Sequence, residues 1–383
     1  MLKRAIVLVS MLALSACSNF SLNPMDWFSG SEGPTPAPLT PLADGRTVRV
    51  LWSTSVGDAD RFVFSPVLVG DNVYAAAHDG TVMRIDAASG ATRWRVSLEP
   101  RLSAGVGSDG STVVVATQEG EVLALNAADG ALRWRARVSS EVLAAPAVGE
   151  GLAIVRSVDS RVFAFDVADG KRRWVYQRAP SPLLIRSPAG VTLVSGFALA
   201  GFPGGKLVGI AIANGAARWE GSVARPQGAT ELERVADVVG EPSVLGREVC
   251  AAAYQGRVTC FDMRNGNPVW SREMSSVTGV SQDARHAYVS DEQGGVHALD
   301  RLTGRSLWKQ DKLAYRQLSL PYSTGEAIAV GDLEGYVHFL AQDSGAFVAR
   351  IATDGGAVRA APIRLPSGFL VQTRNGGLFA LAL

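Results

Sequence analysis

Side chains that commonly do chemistry are sparse in these 383 residues. The four histidines, His78, His286, His297 and His338, show no His-x-x-x-His or comparable spacing that would turn two imidazoles toward one metal. There is no Gly-x-Ser-x-Gly elbow to expose a nucleophile, and no Gly-rich loop ending in Lys-Ser/Thr to cradle phosphate. Cys250 and Cys260 flank a turn. If the two strands pair them, a disulfide forms in an oxidising compartment; a one-residue slip puts them on opposite faces. Asp86, Asp166, Asp262 and Asp300 recur beside turns, where a carboxylate bonds local backbone amides. This inventory assigns no catalytic residue, no metal ligand and no cofactor site. Function is therefore to be sought in shape and surface.

The first residues form an address. Lys3 and Arg4 precede an apolar run from Ala5 to Leu14 broken only by Ser10. Ten residues are too short to span a bilayer, which needs about 20, and match the layout of a secretory signal. The run ends Leu14-Ser15-Ala16-Cys17, which resembles a bacterial lipobox. That resemblance implies removal of residues 1–16, a lipid on the Cys17 sulfur and, with Ser18 rather than Asp next, sorting to the outer membrane. Removing Lys3 and Arg4 shifts the net charge from +1 to −1, with 35 basic residues facing 36 acidic ones. A near-neutral chain lacks the basic excess of a nucleic-acid binder. Residues 17–45, with Pro24, Pro34, Pro36, Pro38 and Pro41, read as an extended tether. Trp27 and Phe28 within it could rest on a membrane surface or on the folded body.

The remainder, 46–383, is one unit repeated. Turn positions at 80, 120, 160, 205, 256, 294, 335 and 376 are spaced about 42 residues apart, the period of a four-stranded propeller blade. In each of the first six units an apolar run and a second turn Gly lead to a tryptophan: Trp94, Trp134, Trp174, Trp219, Trp270 and Trp308. Ala349 takes that place in the seventh. Pro66, Pro146, Pro188, Pro242, Pro321 and Pro362 open strand A of their units, where no ladder donor is missed. In the first unit, strands are expected near Val67–Val69, Val73–Ala77, Val82–Ile85 and Thr92–Val96. Strand C is apolar on both faces, as in blades stacked around an axis. Small residues at Ala124, Ala164, Gly209, Ala298 and Ala380 would let neighbouring sheets approach. The eighth unit has strands A to C only, while Thr47–Trp52 reads as a lone strand D with its tryptophan. The fold class is thus all-β, an eight-bladed propeller closed by the N-terminal strand. The tryptophans read as structural anchors, and His297 and His338, in strand C, as packed residues.

Departures from the repeat mark where function sits, because loops on a rigid scaffold carry it. The connection from Trp219 to Pro242 spans 23 residues, where most span about 10 to 14. Within it Leu232, Val235, Ala236 and Val239 follow helical spacing, and Thr230 with Glu233 reads as a capping box, so a helical turn or two is expected. The preceding connection carries Pro180-Ser181-Pro182-Leu183-Leu184-Ile185-Arg186, stiffened by its prolines. Apolar residues beside Arg suit a protein-docking surface.

The repeat is similar to that of the pyrroloquinoline-quinone (PQQ) dehydrogenases, which raises an alternative reading as a PQQ-dependent or other small-molecule-binding periplasmic propeller. The vicinal Cys-Cys pair of those enzymes is missing here, and the blades lack the long insertions that carry their calcium-binding acids. That favours a protein that is not an enzyme and needs no cofactor. The lipobox, Pro-rich tether, Trp-repeat propeller and loop pair together resemble the BamB family, over essentially the whole chain after the signal. The resemblance implies a lipoprotein of the outer membrane, facing the periplasm. It would act as a scaffold docked on the POTRA domains of BamA in the β-barrel assembly machinery, with unfolded outer-membrane proteins as further contacts. The family's Leu-x-Leu-Arg docking stretch maps onto Leu183, Ile185 and Arg186. Its Asp-x-Asp pair maps onto Asp237 and, in departure, Val239, which suggests a more apolar edge.

Overall fold

A computed structural model describes residues 34–42, 45–179, 181 and 183–383. The signal peptide, Cys17, Trp27, Phe28, Pro180 and Pro182 lie outside the described residues. The chain divides into Met1–Pro36 and Ala37–Leu383; only the second carries strands among the described residues. Those strands form eight four-stranded antiparallel sheets. No described residue is helical. Each sheet is one blade, with strands A to D in chain order. Blade 1 comprises Val67–Val69, Asn72–Ala76, Thr81–Asp86 and Thr92–Ser97, within a residue or so of the sequence expectation. Blade 8 takes strands A to C from Ile363–Leu365, Gly368–Gln372 and Gly377–Ala382, and strand D from Arg49–Ser55, which closes the ring.

Tryptophan and glycine join successive blades. Each strand D bulges by one residue immediately before the tryptophan position: Arg133 before Trp134, Arg173 before Trp174, Leu51 before Trp52. A bulge re-aims the side chain that follows it. The indole then reaches the C–D turn of the next blade. Trp134 Nε1 donates to Val167 O at 2.9 Å, and Trp52 Nε1 donates to Ala87 O at 3.0 Å across the closure. Six of the seven described tryptophans make this bond; Trp219 Nε1 has no partner, and nothing in the structure explains it. The turn glycine packs against the same ring. At Gly170, φ is +73°, and an added Cβ would lie 2.6 Å from Trp134.

This contact explains the exception at Ala349. Strand C of blade 8 is the last strand, so blade 8 offers no C–D turn for a seventh-blade tryptophan to meet. Large and small residues exchange places there: Phe339 stands opposite Ala349. In most other blades a small residue faces the indole, as with Ala164 opposite Trp174 and Gly209 opposite Trp219, while blade 1 places Arg84 opposite Trp94. The small strand C residues thus make room for the tryptophan of their own blade.

Cys250 and Cys260 are directly opposed on strands B and C of blade 5, with Cα atoms 4.0 Å apart, and form a disulfide. Of the helical turn or two expected over 230–239, a single turn forms and no helix follows it. The residues divide between this turn at 231–234 and strand A of blade 5, Val238–Leu245. Pairing of Val238 and Val239 with Ala253 and Ala252 claims the C-terminal half for the sheet. The tertiary ladder outweighs a weak local helical pattern.

Candidate docking site

In an antiparallel blade, the D–A connections and B–C turns share one face of the ring. Three successive connections converge there: Glu141 lies between blades 2 and 3, Leu183 to Arg186 between blades 3 and 4, and Asp237 at the end of the loop between blades 4 and 5.

Asp237 is the keystone of this cluster. It is 4% exposed. Ile185 N donates to its Oδ2 at 2.7 Å, and Gly204 N donates to Oδ1 at 3.4 Å. Burial pushes its carboxyl pKa up, while the Ile185 and Gly204 amides and the charge of Arg156 hold it back. Arg156 supplies that charge from strand B of blade 3. It keeps some solvent-accessible edge but is closely walled by protein, and burial lowers its pKa to about 10, so it stays protonated at neutral pH. It donates to Ala189 O at 3.1 Å and lies over the Phe202 ring at 5.7 Å.

Arg186 is held from the other side. Its Nε donates to Glu141 Oε1 at 2.8 Å and its Nη2 to Glu141 Oε2 at 2.5 Å. These hydrogen bonds to Glu141 raise its pKa further. A two-pronged pair fixes the guanidinium plane as well as its position. The Arg186 side chain remains half exposed. Leu183 is 40% exposed and Ile185 is half-buried beside it.

The longer loop is equally braced. Thr230 and Glu233 form the expected capping box: Glu233 N donates to Thr230 Oγ1 at 3.3 Å, and Thr230 N and Ala229 N donate to Glu233 Oε2 at 3.1 and 2.7 Å. Gln255, in the B–C turn of blade 5, faces the carbonyls of Leu232, Glu233 and Val235. With its amide turned toward them, Nε2 lies 3.0–3.2 Å from all three carbonyl oxygens and shares its two N–H donors among them. Leu232 projects from this braced turn at 72% exposure.

The structure therefore brings Leu183, Ile185, Arg186 and Asp237 into one cluster and divides their roles. Leu183 and Arg186 reach solvent; Asp237 is spent on internal bonds. Val239 is buried in its strand and adds nothing to an exposed edge, contrary to the more apolar edge expected of it. Sequence reasoning missed Glu141 and Gln255. They act across blades, and only an acid beside the regular repeat or a polar residue in a turn marked them.

The other candidate chemical residues are engaged structurally. His297 Nε2 and His338 Nε2 bond Asp291 Oδ2 and Asp332 Oδ2 at 2.8 and 2.9 Å. Asp166 Oδ1 accepts from Ala168 N at 2.9 Å, and Asp300 Oδ1 accepts from Thr303 N at 2.9 Å, as turn chemistry demands. Glu248 lies beside Cys250 and Cys260, but both sulfurs are bonded to each other, so this donor set does not suit a metal.

Fold and site together define a closed propeller whose distinctive feature is a braced, partly apolar loop surface. A family model described as "Outer membrane protein assembly factor BamB" matches residues 78–310. The chain is 45% identical over 375 residues to the protein of that name from Bordetella pertussis, covering 98% of this chain and 95% of the relative. It belongs to the BamB family of outer membrane protein assembly factors. The crystal structure of BamB from Moraxella catarrhalis superposes with a TM-score of 0.80 at 28% identity, over 88% of this chain and all of that one. Quinohemoprotein alcohol dehydrogenase from Comamonas testosteroni shares the fold alone. Its TM-score is 0.69 at 13% identity, over 87% of this chain and 76% of the enzyme.

Proposed function

We propose that this protein is a non-catalytic scaffold of outer-membrane protein assembly that docks on the periplasmic POTRA domains of BamA. The braced loop surface is the docking site. Leu183 and Ile185 supply the apolar contact, Arg186 supplies the charge, and Asp237 fixes the backbone that presents them. The observation that carries this reading is the Asp237 carboxylate bonded to Ile185 N, since it ties the two connections that depart from the repeat into one rigid surface. Rigid apolar anchors beside an oriented Arg are the composition of interface hot spots. A lipid on Cys17, at the start of a tether over 17–45, holds the ring to the periplasmic side of the outer membrane, and unfolded clients are further contacts.

Arg186→Glu tests the site. It sets two carboxylates against each other at Glu141 and reverses the charge offered to a partner. BamA recovery in pull-downs from solubilised outer membrane is expected to fall at least tenfold, with an unchanged melting temperature. Undiminished recovery would remove these residues from the interface.

A further inference from the structure

A second unusual cluster lies on blade 7, at the opposite side of the ring from blade 3. Strand D of blade 7 is Phe347–Ala352. Residues 37–42 and 45–46 lie along its outer edge. At one end Ala37 N donates to Ala314 O at 2.9 Å, beside the D–A connection between blades 6 and 7. At the other end Arg46 N donates to Val348 O at 2.7 Å, and Arg46 pairs with Glu326 in the A–B turn at 2.8 Å. The segment thus crosses the ring's edge from one face to the other.

Two arginines grip its backbone. Arg316 is 2% exposed. It donates Nη1 to Ala37 O at 2.9 Å, Nε to buried Asp332 at 2.7 Å, and Nη2 to Glu334. Arg350 donates Nη1 to Thr40 O at 3.0 Å and Nε to His338 Nδ1 at 3.0 Å. His338 Nδ1 must accept that bond, so its proton lies on Nε2, which donates to Asp332. Buried charge is costly unless paired and hydrogen-bonded. Here part of the pairing comes from carbonyls of residues 37 and 40, so the lock is complete only with the segment in place.

We propose that residues 37–42, together with Arg46, are a clasp that moves the exit of the N-terminal leash from one face of the ring to the other. Strand D of blade 8 begins at Arg49, on the face of the A–B and C–D turns. Without the clasp the leash would leave there. With it, the leash leaves at Ala37, on the face that carries the docking loops. The membrane attachment and the partner surface then share one face. This consequence rests on the lipid anchor and docking surface proposed above; the clasp itself does not.

Paired-label distances test the clasp without any membrane. Labels at Pro38→Cys and Lys312→Cys should lie closer together than labels at Pro38→Cys and Ser344→Cys, since position 312 is on the docking face and 344 on the other. Arg350→Met should broaden both distributions and erase the difference. Equal distances in the parent protein would overturn the proposal. Because Arg350→Met could disturb folding, hydrogen exchange on the unaltered chain provides a second measurement. The Ala37 and Arg46 amides should exchange at least tenfold more slowly than free peptide, and free-peptide rates at both would also overturn it. Flotation of the lipidated chain with vesicles separately tests the anchor, and BamA pull-down the docking surface. Failure of either leaves the label distances to decide the clasp.

Discussion

The contact between Gly170 and Trp134 makes a measurable claim about how the ring is held together. Gly170→Ala places a Cβ at φ +73°, which costs an L-residue about 1–2 kcal/mol. The same Cβ would lie 2.6 Å from the indole, so Trp134 must move. Overpacking of this kind costs about 1–3 kcal/mol more. Gly151, in the A–B turn of the same blade, has φ +78° and no atom within 4 Å of an added Cβ. Gly151→Ala therefore carries the backbone cost alone. The difference between the two variants isolates the contact between blades and should be about 1–3 kcal/mol. Urea unfolding followed by tryptophan fluorescence measures it, provided both variants unfold in one transition with equal slope. If the two variants are equally stable, the tryptophan–glycine latch is not a principal bond between blades.

Two further outcomes follow from the loops and the clasp. Asp237→Ala removes the acceptor of the Ile185 amide, a change worth about 1–3 kcal/mol locally. The Ile185 amide should exchange faster and BamA recovery should fall roughly tenfold or more, and the global melt should fall as well because Arg156 loses its counter-charge. Unaltered exchange at Ile185 would show that the loop is held by something else. His338 gives the clasp a pH dependence. Burial lowers its pKa below the ordinary value of about 6.5, so the unfolded chain binds the proton first as pH falls. Its contribution to stability is fully present above about pH 6.5 and is lost as pH falls toward the lowered folded value. A second proton would also occupy Nδ1 and break the bond from Arg350. The protection of the Arg46 amide, measured relative to the intrinsic rate at each pH, should fall between pH 7.5 and 5, and His338→Gln should remove that fall. A profile identical in parent and variant would sink this role for His338.

Much of the ring was legible in the sequence because a propeller repeats its local physics. Turn glycines, opening prolines and tryptophans recur at one spacing, and complementary half-units at the two ends imply closure. Local pattern failed where a distant partner decides conformation. The run from Leu232 to Val239 has helical spacing, yet its second half becomes strand because blade 5 supplies a ladder for Val238 and Val239. The register of Cys250 against Cys260 was open until the B–C turn length was fixed by folding. At the site, the residues departing from the repeat were readable as a surface, but the division of labour was not. Asp237 had the look of a contact residue and proved a buried brace, because only the fold places Ile185 N before it. The clasp left one sequence trace, a histidine at 338 in a slot that is apolar in most other blades, and its partners Arg316 and Arg350 come from separate elements.

Site-specific photo-cross-linking in whole cells tests the central claim most directly. A photoreactive residue at Leu183, on the docking face, is predicted to yield a covalent product with BamA, while one at Asp169, in a C–D turn on the opposite face of the ring, yields none. A BamA product from position 169 and none from position 183 would contradict the account.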